Sequence, residues 1–181
     1  MNDALLRLTH PTLDFLFDWL VDFLFFGGVM GLVIGNLAPE FTLFDAAGSS
    51  IALSDLRGKW VVLYFYPRDN TPGCTKEACA FRDLNDAFGA KNAVIYGVSL
   101  DDEKAHNKFI AKHNLPFQLL IDPDGAMSAE YESYGLKKFM GKEYLGISRN
   151  TFLIAPDGTL AQIYKKVKPE THPLMVLEDI L

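Results

Sequence analysis

Cys74 and Cys79 are the residues of this chain whose type and spacing best predict chemistry. Two cysteines are too few for a secreted disulfide scaffold, and their spacing is not that of paired zinc knuckles, so a reduced compartment and reactive thiols are favoured. Free cysteine is also a common core residue, and for Cys79 taken alone we prefer that interpretation. Cys74 differs because Thr71, Pro72 and Gly73 precede it after a long apolar run, which favours a reactive thiol.

The residues before Cys74 predict the start of a helix. Thr71 is a candidate N-cap and Pro72 a candidate first helical residue, which places the thiol in the first turn, among unpaired backbone N–H groups. This position favours the thiolate, which is the nucleophilic form. The Thr71 hydroxyl and the amides of Gly73 and Cys74 are candidate donors for polarising a substrate.

Cys79 is expected in the same helix as Cys74, and helical geometry then keeps the two residues apart. Five residues of helix rotate by about 140° and rise by about 7.5 Å, so the Cα atoms would be about 8.7 Å apart. A disulfide tolerates about 7 Å at most. The pair can therefore bond only if the first turns unwind, which predicts a two-step cycle in which one thiolate attacks and the other resolves.

The elements that must position these cysteines follow an α/β pattern from Asn36 onward. Apolar runs predict buried strands, and the stretches between them predict helices. The predicted strands cover residues 60–66, 93–99, 118–121, 151–154 and 160–164, with the last two joined as a hairpin by Pro156-Asp157-Gly158. The predicted helices cover residues 74–88, 102–113, 126–134 and 171–181.

The first 35 residues differ in composition from the rest of the chain. Residues 13–35 are rich in apolar side chains, and Asp14, Asp18 and Asp22 recur every four residues, which predicts a hydrophobic helix with an acidic stripe. Its uncharged run is shorter than the roughly 20 residues of a membrane span. We therefore expect a hydrophobic extension over 1–35 and a folded domain over 36–181, with contact between the extension and a membrane surface as an alternative role.

Composition suits one globular domain and excludes several classes of protein. Of 181 residues, 49% are hydrophobic and 22% charged, and 17 basic against 23 acidic side chains give a net charge of −6, which opposes nucleic acid binding. His106 and His113 lie on one predicted helical face without a third ligand, so we interpret them as a solvated face rather than a metal site. We predict no cofactor and no metal.

Residues 66–79, YPRDNTPGCTKEAC, resemble the active-site loop of the peroxiredoxins, which are thiol peroxidases of thioredoxin-like fold. The resemblance rests on Pro67, Thr71 and Cys74, and a second cysteine five residues on is typical of the bacterioferritin-comigratory or peroxiredoxin Q branch. It extends over nearly all of 36–181. It implies a thioredoxin-like fold with a central mixed β-sheet flanked by helices, to which the hydrophobic N-terminal helix is an addition.

The resemblance also implies a role for each site residue. Cys74 would be the peroxidatic nucleophile, Cys79 the resolving thiol, and Arg149 the arginine that orients the thiolate and the peroxide, although its sequence context alone would make it a surface residue. Glu77 matches an acid near that arginine, with a solvated helix position as an equal alternative. The supporting residues would be Pro67, Pro72, Gly73 and Glu77.

The activity implied is the reduction of hydrogen peroxide and organic hydroperoxides, with thioredoxin or a similar dithiol as the reductant and antioxidant defence as the role. The resemblance implies a monomer, and we expect a cytoplasmic location. Two other classes stay open. One is a thiol–disulfide exchanger of the same fold, disfavoured by the four residues between the cysteines. The other is an interaction protein that docks through the N-terminal helix.

Overall fold

The computed structural model describes residues 31–139 and 141–181 of the chain. The strands are β1 (Thr42–Asp45), β2 (Ser50–Ala52), β3 (Trp60–Phe65), β4 (Ala93–Ser99), β5 (Gln118–Ile121), β6 (Tyr134–Phe139), β7 (Lys142–Ile147), β8 (Asn150–Ile154) and β9 (Leu160–Tyr164). The helices are α1 (Pro72–Asp83), α2 (Asn85–Ala90), α3 (Glu103–His113), α4 (Ala126–Glu130) and α5 (His172–Glu178).

Within the described residues, seven strands form one mixed sheet in the order β2-β1-β5-β4-β3-β8-β9. β3 lies between β4, to which it is parallel, and β8, to which it is antiparallel. Its apolar residues alternate between two cores, because successive side chains of a strand point to opposite faces. Val62 and Tyr64 join one core, whereas Val61, Leu63 and Phe65 join the other. Helices α1, α2, α3 and α5 contribute to the first core and α4 to the second, so helices flank the mixed sheet as predicted.

The strands predicted over 93–99, 118–121 and 160–164 coincide with β4, β5 and β9. The hairpin expected between the last two predicted strands is also present, as the antiparallel pair β8–β9. The predicted strand over 60–66 ends one residue earlier, although Tyr66 is still buried. Of these strands, β3 and β4 have sequences that are apolar on both faces.

Three predicted helices differ from the structure in extent, and the one expected over 171–181 covers only His172–Glu178. The helix expected over 74–88 starts at Pro72 and breaks at Leu84, whose φ of −102° and ψ of 2° separate α1 from α2. The helix expected over 126–134 ends at Glu130, because Glu132 takes a left-handed φ of 49°. The chain then enters the hairpin β6–β7, which the sequence did not predict; β1 and β2 were missed as well.

Residues 32–36 already belong to the folded unit, which spans Leu32–Leu181. Gly35 N donates to the carbonyl of Leu160 (2.8 Å), and Leu160 N donates to the carbonyl of Asn36 (2.8 Å). The hydrophobic helix was expected over 13–35; residues 31–35 are not helical, and the remainder lies outside the described residues. Within the described part of the chain, no helix combines the length and apolar character that crossing a membrane requires.

Candidate active site

Cys74 lies in the first turn of α1, where the residues before it predicted a helix start. β3 ends at Phe65, a short loop follows, and Pro72 begins the helix. Thr71 occupies the N-cap position with extended backbone (φ −82°, ψ 150°), but its side chain accepts no hydrogen bond from the helix. The Thr71 hydroxyl instead donates to the carbonyl of Arg68 (3.1 Å), so the N-cap prediction holds for the position and not for the side chain.

Arg149 brings its guanidinium onto the sulfur of Cys74. It immediately precedes β8, and its Nη2 donates to Cys74 Sγ at 3.1 Å. Its Nη1 donates to Glu77 Oε2, and both charged side chains are removed from water, with exposed fractions of 16% and 0%. The alternative interpretations as a surface arginine and a solvated glutamate are therefore wrong, because the two side chains bury each other between α1 and the sheet.

Gly73 makes this approach of the arginine sterically easy. A Cβ atom at this position would lie 3.2 Å from Arg149 Nη2, which is tighter than an ordinary van der Waals contact. The other two supporting residues have simpler places. Pro72 is the first residue of α1, and Pro67 is exposed in the loop between β3 and α1.

The electrostatics of the site follow from burial and from this contact. Burial raises the pKa of Glu77 to about 7, although the neighbouring Arg149 opposes the rise. Burial acts to lower the pKa of Arg149, but the charges of Glu77 and Cys74 outweigh it and raise that pKa, so the guanidinium stays protonated. A permanent cation is therefore in hydrogen-bond contact with the sulfur of Cys74.

Cys79 lies in the same unbroken helix as Cys74, and both are free thiols. Cys74 is almost completely buried, with 1% of its surface exposed, whereas Cys79 is half-buried. Because α1 is helical through both residues, the separation expected from helical geometry applies. The two sulfurs therefore need a change in α1 before they can bond.

His106 is a site residue that the sequence interpretation missed. It was expected on a solvated face, yet it is completely buried, and its Nδ1 lies 2.8 Å from Asp69 Oδ2 in the active-site loop. The signal available in the sequence was its position three residues before Phe109, on the buried face of α3. His113 is half-buried against Phe109, and burial lowers its pKa.

Comparison with known proteins agrees with this geometry. A family model described as the AhpC/TSA family matches residues 34–163. Peroxiredoxin Bcp of Bacillus subtilis (strain 168) is 47% identical over 151 residues, which are 83% of this chain and 96% of that protein.

Solved structures give the same result. Peroxiredoxin Q of Xanthomonas campestris matches with a TM-score of 0.74 at 39% identity, covering 77% of this chain and 89% of that one. A mutant of PrxQ from Xylella fastidiosa matches with a TM-score of 0.77 at 34% identity, covering 81% and 94%. The thioredoxin-like fold and the resemblance inferred from the active-site loop are thus confirmed. The active-site motif, the sheet topology and the matching relatives together show that this chain belongs to the AhpC/TSA family. It is a peroxiredoxin, a thiol-dependent peroxidase of the Bcp and PrxQ type.

Proposed function

We propose that Cys74 is the peroxidatic nucleophile of this peroxiredoxin and that Cys79 resolves it. The observation that carries the proposal is the 3.1 Å contact from Arg149 Nη2 to the Cys74 sulfur, at the start of a helix. A buried thiol is ordinarily unreactive, because burial in apolar surroundings disfavours the thiolate. A guanidinium and a helix N-terminus supply the positive charge that compensates for this burial.

In the first step, the Cys74 thiolate attacks one oxygen of a hydroperoxide. An S–O bond forms, the O–O bond breaks, and the leaving oxygen takes a proton and departs as water or an alcohol, which leaves a sulfenic acid on Cys74. In the second step, the Cys79 thiol attacks that sulfur, an S–S bond forms, and water leaves. An external dithiol then reduces the disulfide and is itself oxidised.

Arg149 is the residue that would hold thiolate and peroxide together. Its planar fork offers several N–H donors, so one edge can contact sulfur while other donors meet a peroxide oxygen. Glu77 is a positioning residue in this scheme, because its buried carboxylate accepts from Nη1 and fixes the plane of the guanidinium. Thr71 would donate its hydroxyl to the peroxide after turning away from the Arg68 carbonyl.

Substrate, reductant and location extend the same proposal. A Xanthomonas campestris bacterioferritin comigratory protein, 38% identical with a TM-score of 0.74, covering 77% of this chain and 89% of its own, is described in terms of alkyl peroxide reduction. This relative supports organic hydroperoxides beside hydrogen peroxide. We further propose thioredoxin as the reductant and a cytoplasmic monomer as the working form, with the activity carried by residues 36–181 and any membrane-surface contact made by residues 1–35.

Serine substitution of each cysteine tests the roles separately. Cys74→Ser should reduce peroxide consumption with thioredoxin, its reductase and NADPH to background, because the nucleophile is lost. Cys79→Ser should still consume one equivalent of peroxide and accumulate a sulfenic acid on Cys74, detectable by trapping and mass spectrometry. Its steady turnover should fall on the order of 100-fold.

Each variant is the matched control for the other, since both remove one sulfur from α1. An unoxidised Cys74 in Cys79→Ser after stoichiometric peroxide would overturn the assignment. If the parent protein exchanged disulfides with thioredoxin and consumed no peroxide, the alternative of a thiol–disulfide exchanger would be correct instead.

A further inference from the structure

A buried side-chain contact between Asp69 and His106 links the active-site loop to α3. Asp69, five residues before Cys74, is 7% exposed, and His106 in α3 is 0% exposed. His106 Nδ1 lies 2.8 Å from Asp69 Oδ2, and the Tyr66 hydroxyl donates to Asp69 Oδ1 at 2.7 Å. Both oxygens of the Asp69 side chain therefore have a partner, one from Tyr66, directly after β3, and one from α3.

The second ring nitrogen of His106 ties the same side chain to the sheet. His106 Nε2 lies 3.3 Å from the carbonyl oxygen of Leu120 in β5. Both ring nitrogens therefore lie near oxygen atoms, one in the active-site loop and one in the sheet, at a position that excludes water.

The backbone of Asp69 is fixed as well as its side chain. Asp69 N donates to Asp101 Oδ2 at 2.8 Å, and the Ser99 hydroxyl at the end of β4 donates to the same oxygen at 2.8 Å. Beyond Asp69 the loop is more exposed, and Asn70 Oδ1 accepts a solvent-exposed hydrogen bond from Lys112 Nζ (3.2 Å). Asn70 is exposed with a left-handed φ of 56°, and Pro72, the first residue of α1, is exposed too.

We propose that the Asp69–His106 pair anchors the start of the segment that unwinds during resolution. The pair thereby sets the ratio between the helical form of α1, in which Cys74 and Cys79 are apart, and the unwound form, in which they can bond. A fixed Asp69 holds the N-cap, two residues later, at the place from which the first turn of α1 grows. Releasing it adds conformational freedom at the helix start, and this freedom favours the unwound form. The proposal rests on the proposed function of Cys74 and Cys79, and both residues of the pair act as positioning residues.

The anchor has a chemical consequence because the sulfenic acid on Cys74 has two fates. In the unwound form it condenses with the Cys79 thiol to give a disulfide and water. In the helical form a second hydroperoxide can oxidise it to sulfinic acid, with release of water or alcohol. A strong anchor therefore speeds the first oxidation, slows resolution and raises the fraction of sulfinic acid.

Two variants and a control test this in the full chain. Asp69→Asn keeps a side chain of the same shape but replaces one of the two carboxyl oxygens with an NH₂ donor, and His106→Leu leaves Asp69 Oδ2 buried without its hydrogen-bond partner. Tyr131→Phe is the control, because it removes a buried hydrogen bond (hydroxyl to Pro39 carbonyl, 2.7 Å) in the core on the other face of the sheet.

Amide hydrogen exchange in the reduced proteins is the first readout, and it does not depend on peroxidase activity. Exchange over residues 69–76 should rise about tenfold in Asp69→Asn and further in His106→Leu, with β4 still protected and no change in Tyr131→Phe. The second readout is the amount of sulfinic acid formed per turnover, measured by mass spectrometry. This amount should fall in Asp69→Asn and fall further in His106→Leu, while disulfide formation becomes faster in both variants.

The outcomes separate the two proposals. Unchanged loop exchange in Asp69→Asn would overturn the anchor, as would exchange that rises equally in the loop and in β4. If His106→Leu does not fold, Asp69→Asn carries the test alone. A parent protein that reduces no peroxide would contradict the proposed function, whereas the exchange measurement would still decide whether the pair holds the loop.

Discussion

At the scale of the residue, the site depends on one side chain with two tasks. Arg149 donates to Cys74 Sγ through Nη2 and to Glu77 through Nη1, so its guanidinium plane is fixed on both sides. Burial makes these contacts stronger than they would be in water, because the local dielectric is low. The same burial raises the pKa of Glu77 to about 7, against the opposing effect of Arg149.

The first prediction at this scale concerns the shape of the cation rather than its charge. Arg149→Lys should lower the second-order rate constant for hydrogen peroxide by about 100-fold, because an ammonium cannot contact sulfur, Glu77 and peroxide in one plane. Stopped-flow measurement of the first oxidation isolates this step from resolution. Arg57→Lys is the matched control, since Arg57 forms a partly exposed ion pair with Glu40 and should keep the parent rate. A parent-like rate in Arg149→Lys would remove Arg149 from the proposed mechanism.

At the scale of the element, α1 must both present Cys74 and release it. The helix runs unbroken from Pro72 to Asp83, so it holds Cys79 about 8.7 Å from Cys74, measured between Cα atoms of an ideal helix. β3, which leads into it, is buried along nearly its whole length between two other strands. The sheet therefore provides a rigid base, and the change needed for a disulfide falls on the helix.

Oxidation should accordingly loosen α1 and leave β3 intact. In the fully disulfide-bonded protein, amide exchange over residues 71–82 should rise at least about tenfold relative to the reduced protein, while Trp60–Phe65 stays protected. Cys79→Ser treated with the same peroxide is the control, because its Cys74 is oxidised without a bridge. Equal protection of α1 in the oxidised and reduced parent would mean that the thiols bond without unwinding.

The sequence predicted an element well where a local pattern of apolar residues determines it. It predicted an element poorly where packing against distant residues determines it. β4 and β5 are apolar runs buried on both faces, and their bounds were predicted to the residue. The hairpin β6–β7 was missed because most of β7 is exposed, so neither a continuous apolar run nor a clean alternation indicates a strand. Its position follows from the end of α4, which the left-handed Glu132 sets.

The site divides in the same way between local and distant contacts. Thr71 and Pro72 place Cys74 at a helix start by local signals alone, and the structure agrees. Arg149 reaches Glu77 across 72 positions of the chain, and only the family resemblance pointed to it. His106 reaches the active-site loop across 37 positions, and helical periodicity can indicate that His106 is buried but not which residue it contacts.

At the scale of the whole molecule, two buried titrating groups give stability an unusual dependence on pH. Burial raises the pKa of Glu77 from 4.5 to about 7, and burial, aided by Arg149, lowers the pKa of His172 from 6.5 to about 4. The folded protein therefore binds a proton at Glu77 more tightly than the unfolded chain does. It binds one at His172 less tightly.

These shifts act on stability with opposite signs. The contribution of Glu77 is complete below pH 4.5 and is lost as the pH rises from 4.5 to 7, because the unfolded chain ionises first. The contribution of His172 is complete above pH 6.5 and is lost as the pH falls from 6.5 to 4. Between pH 4.5 and 6.5 the two slopes oppose each other, so the parent protein should show a flattened stability profile.

Removing either group should leave only the pH dependence of stability that the other group causes. Each proton difference changes the free energy of unfolding by at most about 1.4 kcal/mol per pH unit. Glu77→Gln should therefore make stability rise more steeply with pH between 4.5 and 6.5, whereas His172→Phe, which keeps an aromatic ring against Phe81, should make it fall. Urea unfolding at several pH values measures both slopes, with the exposed Glu143→Gln as the control. Parallel profiles for the parent and both variants would show that neither group changes its proton affinity on folding.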